Sequence, residues 1–119
     1  MSGSIAGLIV DLLMRTCNAT SVERQAFTSG SRYMVRFYGE HHMEVHIVNK
    51  DERLFAEFWI PTYATPIMII EYFSHVEPQE ICREICDMVH VMHEAMRAGK
   101  STEGDRATLG NRVYHPSPP

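Results

Sequence analysis

No run of apolar residues in this chain approaches the roughly 18 that a bilayer-spanning helix requires. A helical membrane protein is therefore excluded. Cysteine is scarce: there are three, an odd count that does not suit a secreted disulfide scaffold. The N-terminal stretch lacks the basic flank of a signal peptide, and Asp11 interrupts its apolar residues. The resulting expectation is reduced thiols and a cytoplasmic location. Basic residues are few, 11 against 15 acidic, with a formal net charge of -4. Broad contact with a phosphate backbone, which needs a basic footprint, is not expected. Catalytic signatures are missing as well. The chain has neither a G-x-x-x-x-G-K-[ST] phosphate loop nor a G-x-S-x-G elbow, and His93-Glu94 does not complete an H-E-x-x-H helix.

What is present fits one domain. The 119 residues are 45% apolar and 22% charged, ordinary for a globular protein and enough for a single core without staples. Ile5, Leu8, Ile9, Leu12 and Leu13 recur at helical spacing after Ser4, a capping residue type. Thr20-Ser21-Val22-Glu23 has the spacing of a capping box, which predicts one or two helical turns through Phe27. From Arg32 to Phe73 the pattern changes to strands: 32–38, 41–48, 54–60 and 67–73. They are separated by a tight turn at Gly39-Glu40, a turn at 49–52 and a proline-bounded connection at 61–66. Pro78 then opens a long helix with Ile81, Ile85, Met88, Met92 and Met96 on one stripe, and Gly99 closes it. The expected fold is α+β: a four-stranded antiparallel meander with an N-terminal and a long C-terminal helix on one face. Residues 1–99 form the domain, and 100–119, rich in proline and glycine, read as an extended or disordered tail.

The strand pattern also assigns faces. A turn centred in 49–52 sets Met43 opposite Phe58, Val45 opposite Ala56 and Ile47 opposite Leu54, an apolar face for the helices. The reverse face then pairs His42 with Trp59, Glu44 with Glu57 and His46 with Phe55, and Tyr33 and Phe37 are assigned to it too. Two carboxylates opposed across a ladder repel each other. They call for a cation, a shared proton or water, so His42, Glu44 and Glu57 are the candidates for a metal site or for acid–base work. A second candidate set is the helical strip Cys82, Cys86, His90 and His93. Its ends are about 16 Å apart on a straight helix, so only an adjacent pair such as Cys82 and Cys86, joined by a distant histidine, can share an ion.

The reading these residues favour is a non-enzymatic protein–protein interaction module, homodimeric, that occupies a surface of a partner macromolecule. Its partner-binding residues are Tyr33, Phe37, His42, His46, Phe55 and Trp59. By base rate, small acidic proteins of this kind include phage and mobile-element accessory inhibitors of host enzymes. No cofactor and no membrane contact is expected. The alternatives are a metal-binding domain or small metal-dependent hydrolase, and a binder of single-stranded nucleic acid on the aromatic sheet face. The latter is disfavoured because only Arg53 is interleaved with the aromatic residues.

Overall fold

A computed structural model describes residues 5–38, 43–60 and 64–97, and the backbone of 112–114. Helix α1 (Ile5–Thr16) buries Ala6, Ile9, Val10 and Leu13, the stripe its spacing implies. It stops at Asn18, whose φ of 57° is the left-handed conformation that ends many helices. Five strands follow in sequence: β1 (Ala19–Phe27), β2 (Gly30–Phe37), β3 (Met43–Lys50), β4 (Arg53–Trp59) and β5 (Met68–Tyr72). Helix α2 (Pro78–Arg97) comes next, then a short strand β6 (Arg112–Tyr114). The sheet order is β1-β2-β3-β4-β5-β6, with every neighbouring pair antiparallel.

The fold is thus α+β with an antiparallel meander and two helices, but with six strands where the sequence pattern gives four. The segment from Thr20 to Phe27 is a strand, not a helix. Its pairing with β2, from Ala19 opposite Phe37 to Phe27 opposite Gly30, outweighs the local capping-box signal. Residues 112–114 of the expected tail add to the sheet beside β5. The turn between β3 and β4 is the two residues Asp51 and Glu52, with φ of 52° and 63°, a type I′ hairpin. Gly30 is required where β2 meets the end of β3: a Cβ there would lie 1.7 Å from the Asn49 carbonyl oxygen.

One core fills the space between the helices and the inner face of the sheet. Val35, Phe37, Met43, Val45, Ile47, Ala56, Phe58, Met68, Ile70 and Tyr72 meet Ile81, Ile85, Met88, Val89 and Met92 of α2 and the buried stripe of α1. The hydroxyl of Tyr72 donates to the carboxylate of Glu84 within this core. Burial, together with the Glu84 charge, pushes the Tyr72 pKa far above its ordinary value of 10.0, so the phenol keeps its proton.

Candidate functional site

The outer face of the sheet is polar and internally paired. Because the β3–β4 turn holds two residues, Glu44 lies opposite Trp59 and His46 opposite Glu57; Val48, not His46, faces Phe55. The predicted opposition of Glu44 and Glu57 is therefore corrected by two positions, a slip that leaves each side chain on its expected face. Arg32 and Arg36 of β2 complete the group. An Arg32 N–H donates to His46 Nδ1 at 2.9 Å and to Glu57 Oε1. Since arginine only donates, Nδ1 must accept, and the Nε2–H of His46 donates to Glu44 Oε1 at 3.0 Å. Trp59 stacks on the His46 ring at 5.1 Å and donates its indole N–H to Glu57 Oε1 at 3.1 Å. Arg36 reaches Glu44 at 3.3 Å, and Arg53 grips Glu71 with two hydrogen bonds of 2.8 and 2.9 Å.

The electrostatics follow from this wiring. Burial pushes His46 below its ordinary pKa of 6.5, and the adjacent Arg32 guanidinium adds to the effect against the opposing pull of Glu44 and Glu57. A second ring proton would sit on Nδ1 and face that guanidinium. For Glu44, burial works upward, but hydrogen bonds from His46 and Arg36 outweigh it and hold the carboxyl below its ordinary 4.5. This depression is the opposite of what a general acid at neutral pH needs. The face is a closed ladder of charges around a neutral histidine.

The second feature is at the far end of α1. Cys17, just after the helix, is joined by a disulfide to Cys86 of α2, with Cα atoms 5.8 Å apart. The expectation of reduced thiols is corrected accordingly. The third cysteine, Cys82, is a buried free thiol one turn earlier on α2, with its sulfur 4.0 Å from that of Cys17. The Thr16 hydroxyl lies 3.5 Å from the Cys17 sulfur and 3.6 Å from the Cys82 sulfur. A cavity of about 570 Å³ opens beside the disulfide, and Cys17, Cys86, Tyr38 and His90 are among its walls. Tyr38 stacks face to face on His93 at 3.7 Å, which ties the end of β2 to α2.

The third feature is the β1 edge. Thr20 to Phe27 are exposed on both faces of the sheet, Val22 and Phe27 among them, and β1 pairs on one side only among the described residues. Its inner face reaches past the helices; there Arg24 lies over the Tyr33 ring at 5.7 Å.

The sequence-derived site residues are split by the structure. His46, Phe55 and Trp59 share the outer face as expected, although His46 is only 8% exposed. Phe37 and Tyr33 do not: Phe37 lies in the core opposite Met43, and Tyr33 packs against the core opposite Ile47. The cause is the β2–β3 connection. Five residues, 38–42, replace the two-residue turn read at Gly39-Glu40, and that odd difference inverts every face of β2. His42 lies outside the described residues. No group of three or more His, Cys, Asp or Glu among the described residues is placed to hold a metal ion, and Cys86 is committed to a disulfide. Sequence reading missed Arg32 and Arg36 as the cations that neutralise Glu57 and Glu44; their i, i+4 spacing on one strand face was the available signal. It also missed Cys17 beside Cys82 and Cys86, for which no local signal exists across 69 residues of separation. Compared with protein-family models, curated proteins and solved structures, the chain matches none.

Proposed function

We propose that this chain is a non-enzymatic protein–protein interaction module whose first partner is a second copy of itself, the two sheets joining along antiparallel β1 edges. One observation carries this reading: a nine-residue edge strand, exposed on both faces from Thr20 to Phe27, whose outer row of backbone donors and acceptors meets no strand among the described residues. Such an edge is a template for strand addition. The composition of β1 suits self-pairing, because its two charges, Glu23 and Arg24, are of opposite sign and point to opposite faces. Across a two-fold axis a residue at the centre meets its own copy. Centring on Glu23 or Arg24 opposes like charges, whereas centring on Val22 or Gln25 does not. The internally paired outer face, with its depressed Glu44, supports the non-enzymatic half of the reading. By its chemistry, that outer face is the surface left for a further macromolecular partner at Trp59 and Phe55.

Sedimentation across a concentration series tests the dimer. Wild type is expected to run at twice the chain mass. Val22→Lys and Gln25→Lys each put like charges on the axis of one allowed register, so the double variant is expected to associate roughly fivefold to tenfold more weakly. Both positions are solvent-exposed, so the fold is expected to survive the change. A wild-type chain that remains monomeric at every concentration overturns the proposal.

A further inference from the structure

We propose that Cys17, Cys82 and Cys86 form a thiol–disulfide exchange site, in which the buried Cys82 displaces Cys86 from Cys17 and thereby delivers a Cys86 thiolate to the neighbouring cavity. Three observations converge on it. A free thiol stands 4.0 Å from one sulfur of a disulfide. The thiol is buried and absent from the cavity wall, whereas Cys86 is half-buried and forms part of that wall. Cys82 and Cys86 are one turn apart on the same face of one helix, so Cys17 changes partner without any element moving to a new place.

The step balances within the chain. Cys82 Sγ, having given its proton to water, attacks Cys17 Sγ. The Cys17–Cys82 bond forms as the Cys17–Cys86 bond breaks, and the electron pair leaves on Cys86 Sγ. Cys86 takes a proton back from water in the cavity, so no oxidant, reductant or net proton is consumed. The two isomers close loops of nearly the same length, with sequence separations of 65 and 69. Chain entropy therefore favours neither. The exchanged form presents one reactive thiol in a cavity of about 570 Å³, a site for modification by a small-molecule disulfide.

Tryptic mapping distinguishes the isomers because Arg83 lies between the two α2 cysteines. Cys17, Cys82 and Cys86 fall in peptides 16–24, 54–83 and 84–97. The disulfide form of the full chain is incubated with oxidised glutathione and digested without reduction. Wild type is expected to carry one glutathionyl group on peptide 84–97, the other half of each oxidised glutathione leaving as a free thiol, with peptide 16–24 now cross-linked to 54–83. Cys82→Ser and Cys82→Ala are expected to protect Cys86, slowing its modification at least tenfold, although neither change touches Cys86. Cys86→Ser, whose Cys17 and Cys82 are both thiols, is expected to form the 16–24 to 54–83 cross-link when oxidised glutathione is added as the oxidant, with two reduced glutathiones released per bond. The proposal is overturned if the adduct sits on Cys82 with the original disulfide intact. It is equally overturned if Cys86 is modified at the wild-type rate in both Cys82 variants, or if folded wild type gains no adduct while the urea-unfolded chain does.

Discussion

His46 illustrates how one side chain on an outer sheet face becomes a structural element. Its ring is flanked by Trp59 and held at both nitrogens, by Arg32 on one side and Glu44 on the other. Both of its partners need the neutral Nε2–H tautomer. The pH dependence follows. In the unfolded chain His46 takes up a proton below about 6.5, its ordinary value, while in the fold burial keeps it neutral to lower pH. The unfolded state thus binds more protons, and stability falls as the pH drops below 6.5 toward the depressed value of the folded state. Glu44 acts in the same direction further down: its contribution is present above 4.5 and is lost as the pH falls through its lowered folded value. Melting curves between pH 8 and 4 check this. Wild type is expected to begin losing stability just below neutrality. His46→Gln is expected to be less stable by about 1 kcal/mol at pH 8, having lost one hydrogen bond and the ring stack. Its decline is expected to begin only in the carboxylate range. Equal pH profiles for the two proteins would show that the ladder does not hold His46 neutral.

At the level of elements, what was legible depended on where the burial lies. Helix α2 carries its signal in sequence order, with Pro78 at the start and a stripe from Ile81 to Met96, and the structure reproduces it. Strands β3 and β4 alternate cleanly, so their faces are read correctly even though the pairing is off by two. β1 was illegible for a physical reason: Thr20 to Phe27 is exposed throughout, so no alternation exists and only local helix signals remain. β2 failed differently, because its face depends on a loop length that no residue type declares. The turn at Asp51-Glu52 explains the missed register. Both residues adopt positive φ; Asp51 is a favoured first residue of a type I′ hairpin, but Glu52 stands where glycine is preferred. That mismatch carries a prediction. Glu52→Gly removes the left-handed cost of a non-glycine residue at this turn position, and is expected to stabilise the fold by about 1 kcal/mol. Chemical denaturation reads it as a raised midpoint at unchanged slope. A lowered midpoint would mean that Glu52 holds a contact worth more than its strain.

Across the whole molecule, the shared apolar core joins the helices to the sheet, and a covalent tie joins the end of α1 to the middle of α2. The core lies mainly under β2 to β5, leaving β1 from Thr20 onward to extend beyond it. The tie closes a sequence separation of 69, so its loss is expected to cost about 2–4 kcal/mol, chiefly by freeing the unfolded chain. Cys17→Ser removes every possible bridge between the two helices, because Cys17 is the only cysteine on the α1 side. It is expected to melt roughly 10–20 °C lower than the oxidised wild type. Cys86→Ser is the informative contrast. It removes the observed bridge but leaves Cys82 within reach of Cys17, and a Cys17–Cys82 bond closes a separation of 65 between the same two helices. Oxidised Cys86→Ser should therefore retain most of the stability that Cys17→Ser loses, and reductant should bring the two variants to the same melting temperature. If Cys86→Ser melts with Cys17→Ser before any reductant is added, Cys82 is a packing residue alone. The two helices are then held by one bond rather than by a choice of two.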